Sequence, residues 1–60
     1  MKPKEIIKIL EKNGWFEVAQ RGSHKQFKHQ INKGKVTVPY HNTDLDIKTL
    51  NTILKQAGLK

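Results

Sequence analysis

Three histidines are the side chains of this sequence best suited to acid–base chemistry, and all of them lie between Val18 and Thr43: His24, His29 and His41. That segment contains no Asp or Glu. It does contain five cationic residues, namely Arg21, Lys25, Lys28, Lys33 and Lys35. Imidazoles among cations suit chemistry on an anionic substrate, because the cations stabilise negative charge that develops during a reaction. The pattern therefore favours an anion-binding segment over a merely solvated surface.

His24 is the strongest catalytic candidate because it directly follows a turn suited to phosphate, Arg21-Gly22-Ser23. Backbone amides at such a turn, together with the Ser23 hydroxyl and the Arg21 guanidinium, can bind a phosphate group. His41 lies in a predicted loop, where it either positions a phosphate or organises the turn. Both histidines are therefore candidates for work on a phosphate-containing ligand.

Strand alternation places the residues around Phe27 on two opposite faces of the predicted sheet. If Phe27 faces the core, Lys25 and His29 share its side, whereas His24 and Lys28 lie on the opposite face. We therefore expect His24 to be displayed on a face of a sheet that no helix covers. We expect His29 to lie at the edge of the core and to be hydrogen-bonded there.

A metal site or another cofactor is not expected. His24 and His29 lie five residues apart on one strand and face opposite sides, so they cannot share an ion. Asp44 and Asp46 directly precede a predicted helix, where carboxylates more often cap the helix than bind Mg²⁺. The sequence has no cysteine, which excludes disulfides and thiolate ligands.

Two amphipathic helices flank the cationic segment. The first is predicted from Pro3 to Asn13, with Gly14 as the left-handed residue that ends it. The second follows Asp46 as its N-cap and ends at Gly58. The predicted apolar face of the second helix comprises Ile47, Leu50, Ile53, Leu54 and Ala57.

Between the helices, three short runs alternate in polarity, as strands do. Phe16 and Val18 alternate with other residues in the first run, and residues 24–30 form the second. Residues 35–38 form the third, and Pro39 ends that strand or lies at a sheet edge. We predict a two-layer α+β domain of order α-β-β-β-α, in which a three-stranded antiparallel sheet carries both helices on one face.

Length and composition limit the remaining possibilities. The 60 residues fit a single domain, residues 1–60, and 12 Lys and Arg against 5 Asp and Glu give a net charge of +7. Such a charge attracts nucleic acid or an acidic protein. No apolar run approaches the ~18 residues of a membrane span, and no signal peptide is recognisable at the start. We therefore expect a soluble, cytoplasmic protein.

If the anionic partner is RNA, one reaction fits these residues without a metal. RNA carries a 2′-hydroxyl beside every phosphodiester, and a histidine can accept its proton while cations stabilise charge on the phosphate. We predict a metal-independent endoribonuclease with His24 as the general acid–base. The leaving oxygen receives its proton from His24 itself or with the help of Lys28, Arg21 or Tyr40, and the sequence does not decide among them. The predicted RNA-binding residues are Arg21, Ser23, Lys25, Lys28, Lys35 and His41. The alternative is a non-catalytic RNA-binding module, and a DNA-binding regulator ranks last because the second helix is poor in cations.

The sequence resembles the HicA toxins, small bacterial mRNA interferases of type II toxin–antitoxin systems. The resemblance spans nearly the whole chain and rests on three separated motifs in the family's order. The motifs are Gly22-Ser23-His24 followed by Phe27, then Val38-Pro39-Tyr40-His41, then Thr49-Leu50 with Ile53-Leu54 and Gln56-Ala57-Gly58.

The resemblance implies a fold similar to that of double-stranded-RNA-binding domains and cleavage of mRNA, which inhibits translation and growth. It implies that His24, the histidine of the first motif, is catalytic. It also implies a protein partner, an acidic HicB-type antitoxin that covers the toxin and neutralises it. His41 matches the second motif, and His29 is a second-rank catalytic candidate.

Overall fold

Two helices and three strands follow one another in the order α-β-β-β-α in the computed structural model, which describes residues 1–60. They are α1 (Pro3–Lys12), β1 (Trp15–Arg21), β2 (His24–His29), β3 (Val36–Pro39) and α2 (Ile47–Gln56). The strands pair antiparallel in the order β1-β2-β3. The predicted α+β fold is therefore confirmed. Neither helix has the length and apolar character needed to cross a membrane.

Helix α1 has a capped N-terminus and is followed by a left-handed glycine, as its sequence predicts. Pro3 occupies the first turn, and the Glu5 carboxylate accepts a hydrogen bond of 2.7 Å from the backbone N–H of Lys2. Gly14 follows the helix with φ +91°, a conformation that a residue with a Cβ rarely adopts. The chain then turns directly into β1.

Helix α2 is capped at both ends as expected. The Asp46 carboxylate accepts a hydrogen bond of 3.0 Å from the Thr49 N–H. Hydrogen bonds from the side chain and backbone of Thr49 hold the pKa of Asp46 below its ordinary value. At the other end, Gly58 is left-handed, and the Leu59 N–H donates to the Leu54 carbonyl at 2.8 Å. This is the hydrogen bond of a Schellman motif.

The core lies between the helices and one face of the sheet. Eight apolar residues form it, namely Ile6, Leu10, Trp15, Phe27, Val36, Val38, Ile53 and Ala57. Ile47 was predicted to share this apolar face, but it is 73% exposed. Ile53 lies six positions further along the helix, which corresponds to about 120° around the helix axis. Ile47 therefore lies at the margin of the buried stripe.

A β-bulge in β1 changes which side chains face the core. The strand predicted from the alternation of Phe16 and Val18 is present, but these two side chains are 46% and 45% exposed. Trp15 is buried instead. The pairing register with β2 shifts between Glu17 and Ala19. The residue inserted there reverses the alternation along the rest of the strand.

The sheet therefore has one face covered by the helices and a second face that they leave uncovered, here called the open face. Alternation from the buried core residues and the pairing register assign eight residues to the open face. They are Phe16, Ala19, Arg21, His24, Gln26, Lys28, Thr37 and Pro39. Pro39 ends β3, which is an edge strand, as expected for a residue that has no N–H to donate.

Candidate functional site

Two sequence segments that are far apart in the chain meet at one end of the sheet. The first is the turn between β1 and β2, and the second is the end of β3 with the residues that follow it. The Tyr40 N–H donates a hydrogen bond of 2.6 Å to the Ser23 carbonyl, and Pro39 is the cross-strand partner of His24. The turn and the Tyr40-His41 loop are therefore held side by side.

Arg21 and His24 face each other across the turn. They are cross-strand partners, both are exposed, and both lie on the open face. The bulge at Val18 is essential to this arrangement. Uninterrupted alternation would place Arg21 on the same face as the buried Trp15, because the two residues are six positions apart, an even number. The bulge instead puts a guanidinium beside an imidazole on an accessible surface.

His24 also lines an open groove of about 530 Å³ at the β3 edge of the sheet, where α2 packs against β3. Thr37 and Pro39 of β3 lie on the sheet side of the groove, and Thr49 and Thr52 belong to α2. None of these α2 residues was predicted from the sequence to belong to the site. Their three-residue spacing indicates a shared helix face, but only the tertiary structure brings that face next to β3, the strand that pairs with β2.

His29 occupies a structural position, as predicted from its parity. Its Nε2 lies 2.9 Å from the Asn13 carbonyl oxygen, and its Nδ1 accepts hydrogen bonds of 3.0 and 3.1 Å from the backbone N–H groups of Ile31 and Asn32. Its ring packs edge-on against Trp15 with the centroids 5.2 Å apart. Both ring nitrogens are engaged by backbone groups, so His29 joins two loops and is poorly placed to exchange protons with a ligand.

Lys25 and Lys28 lie on opposite faces of β2. The Lys25 ammonium is 3.2 Å from the Glu17 carboxylate and 4.7 Å from the centroid of the Tyr40 ring, and its side chain is 19% exposed. Lys28 is exposed and lies opposite Phe16 on the open face. Of these two predicted RNA-binding residues, the structure brings only Lys28 onto the face of His24.

The remaining predicted residues are spread along the sheet. The Ser23 carbonyl accepts the hydrogen bond from the Tyr40 N–H, and the Ser23 hydroxyl remains at the turn, next to His24 in the sequence. His41 is exposed and shares a shallow cavity of about 340 Å³ with Lys2 and other residues at the start of α1. Lys35 precedes β3 at the opposite end of the sheet. Arg21, Ser23, His24 and His41 therefore all lie at one end of the sheet, where His24 and His41 line different cavities, and Lys35 lies at the other end.

No group of three or more His, Asp or Glu side chains stands close enough together to hold a metal ion. Asp46 is engaged as the N-cap of α2. The chemistry available at this end of the sheet is therefore that of an exposed imidazole, a guanidinium, a hydroxyl and backbone amides.

Comparison with known families identifies a match over nearly the whole chain. The family model described as the HicA toxin of bacterial toxin–antitoxin systems matches residues 3–59. The match covers both helices and all three strands, and it includes every residue of this site. The chain matches none of the curated proteins with which it was compared.

Proposed function

The chain belongs to the HicA toxin family of bacterial toxin–antitoxin systems, and we propose that it acts in the cytoplasm as an mRNA endonuclease with His24 as the general acid–base. The observation that carries the proposal is the pairing of an exposed imidazole, His24, with the Arg21 guanidinium on the open face. The imidazole is accessible to a substrate, and the adjacent cation suits a phosphodiester.

The proposed reaction uses the nucleophile that RNA itself carries. A ring nitrogen of His24 accepts the proton of the ribose 2′-hydroxyl as that oxygen attacks the adjacent phosphorus. The bond from phosphorus to the 5′ oxygen breaks, and the proton held by His24 passes to the leaving oxygen. The products are a 2′,3′-cyclic phosphate and a 5′-hydroxyl. Arg21 and the Ser23 turn stabilise the negative charge on the phosphate oxygens.

The same cationic surface suits the protein partner of a toxin. Its net charge of +7 favours association with an acidic antitoxin of HicB type, since charge complementarity accelerates encounter. A partner bound over the open face would exclude RNA from His24. Neutralisation then follows from steric exclusion and charge compensation, without any change in the catalytic residues.

Cleavage of a defined single-stranded RNA by the purified protein in EDTA tests this proposal. We expect the RNA to be cut, with a cyclic phosphate at the new 3′ end. Replacing the 2′-hydroxyl by hydrogen at the cleaved nucleotide should abolish cutting at that position only. If the protein binds the RNA but cuts no position of it, with or without Mg²⁺, it is a non-catalytic RNA-binding module and the proposal is wrong.

Lys28 and Lys25 provide a matched test of which face binds RNA. Lys28→Gln should weaken binding and lower the slope of log affinity against log salt by about 1, the contribution of one phosphate contact. Lys25→Gln removes the same charge from the same strand, but its ammonium faces Glu17. It should leave that slope unchanged. Equal effects of the two substitutions in a salt titration of RNA binding would contradict the assignment of the open face.

A further inference from the structure

Phe16 is a large aromatic side chain that the fold does not bury. It is 46% exposed, whereas its neighbour Trp15 is 2% exposed and belongs to the core. The bulge at Val18 is what places Trp15 inside and Phe16 outside. Phe16 therefore contributes less to the core than its size allows, and its exposed ring is available to a ligand.

The surroundings of Phe16 are cationic and polar. Its cross-strand partner is Lys28, and Gln26 and His24 continue along β2 on the same face. None of the eight residues assigned to the open face is acidic. The nearest acidic residue in the sequence, Glu17, alternates onto the other face and pairs with Lys25 there. An exposed ring on a cationic sheet without carboxylates is the arrangement with which proteins bind single-stranded nucleic acid.

We propose that Phe16 is a stacking platform for an unpaired base of the RNA substrate, so that the substrate is a single-stranded segment lying along the open face. This inference rests on the proposed function and extends it to the form of the RNA. Lys28, the partner of Phe16, lies four positions beyond His24 on β2, which corresponds to about 13 Å along the strand. A segment of a few nucleotides can therefore place its phosphate at His24 and a neighbouring base on Phe16.

The charge around the ring favours RNA over an apolar protein surface as the occupant. An apolar protein patch would leave the Lys28 ammonium and the Arg21 guanidinium without partners when it covered them. An RNA strand supplies a phosphate for each cation and a π face for the ring. Stacking is also tolerant of sequence, because every base has such a face.

Binding of an uncleavable 2′-O-methyl oligonucleotide tests the proposal independently of catalysis. Phe16→Leu should weaken the affinity, measured by fluorescence anisotropy, about 5- to 150-fold, the usual range for losing one base–aromatic stack. Phe16→Trp should retain the affinity, and its exposed indole should be quenched when the oligonucleotide binds. Ile31→Ala is the matched control, since Ile31 is 84% exposed and lies outside the strands. Its affinity should equal that of the wild type.

The affinity of Phe16→Leu and the indole fluorescence of Phe16→Trp distinguish the ways in which the proposal could be wrong. If Phe16→Leu binds the oligonucleotide as tightly as the wild type, the ring does not stack on a base and the proposal is wrong. If a fully paired duplex binds more tightly than the single strand and leaves the indole of Phe16→Trp unquenched, the proposed form of the substrate is wrong. If the protein binds RNA but does not cut it, the proposed function is wrong, and the proposal that Phe16 stacks on a base is unaffected. Circular dichroism of each variant checks that the fold is retained.

Discussion

Replacing His24 with Ala should slow RNA cleavage about 10²- to 10⁴-fold, the usual contribution of one general acid or base. The reason is that His24 is the only histidine whose exposed ring lies beside Arg21 on the open face, whereas His29 is engaged by backbone groups. The measurement is a single-turnover cleavage assay in EDTA with a labelled RNA. In cells, expression of His24→Ala should no longer arrest growth.

The control for this substitution separates chemistry from folding. His24 is exposed, so His24→Ala should change the free energy of unfolding by no more than about 0.5 kcal/mol and should still bind uncleavable RNA. His29→Ala should do the reverse. It should lower the melting temperature because it removes the hydrogen bonds to Asn13, Ile31 and Asn32, while the folded fraction retains its cleavage rate. A His24→Ala protein that cuts RNA at the wild-type rate would exclude His24 as the acid–base.

Gly14→Ala should be among the most destabilising single substitutions in this chain. A Cβ at this position would lie 2.6 Å from His29 Nε2, and φ is +91°. The left-handed backbone costs about 1–2 kcal/mol for a residue with a Cβ, and displacing the His29 ring costs about 1–3 kcal/mol in unmade hydrogen bonds. A domain of this size has only a few kcal/mol of net stability. We therefore expect a large part of Gly14→Ala molecules to be unfolded at 37 °C.

Gly34 offers a nearly ideal comparison for this experiment. Its φ is +89°, but no atom lies within 4 Å of the Cβ that Ala would add. Gly34→Ala should therefore show the backbone cost alone, and the difference between the two variants measures the clash with His29. In a His29→Ala background the two substitutions should become equivalent. Urea unfolding followed by the fluorescence of Trp15, the single buried tryptophan, gives both free energies. Equal destabilisation in the wild-type background would mean that the ring moves aside at little cost.

The bulge at Val18 connects the stability of the fold with the proposed chemistry. By reversing the alternation within β1, it buries Trp15 near the start of the strand and places Arg21 opposite His24 at the end. The same reversal exposes Phe16 beside Lys28. One inserted residue therefore supplies a core aromatic, a cation opposite His24 and an exposed ring from a strand of 7 residues.

The amino-acid sequence by itself determined the features that depend on neighbouring residues. The helix ends at Gly14, Asp46 and Gly58 were predictable because capping is a matter of a few adjacent backbone groups. The order of elements followed from the periodicity of apolar residues. The opposite orientations of His24 and His29 followed from strand alternation around Phe27.

Only the tertiary structure decided which of these residues lie on the same face of the sheet or in contact with one another. The bulge at Val18 goes with the burial of Trp15 and the exposure of Phe16, and the core that receives Trp15 is built from residues far apart in the chain. The pairing of Lys25 with Glu17, and the approach of α2 to His24, likewise depend on how the elements pack. Local sequence specifies backbone conformation over a few residues, whereas a functional surface is built from contacts that form only when the whole chain has folded.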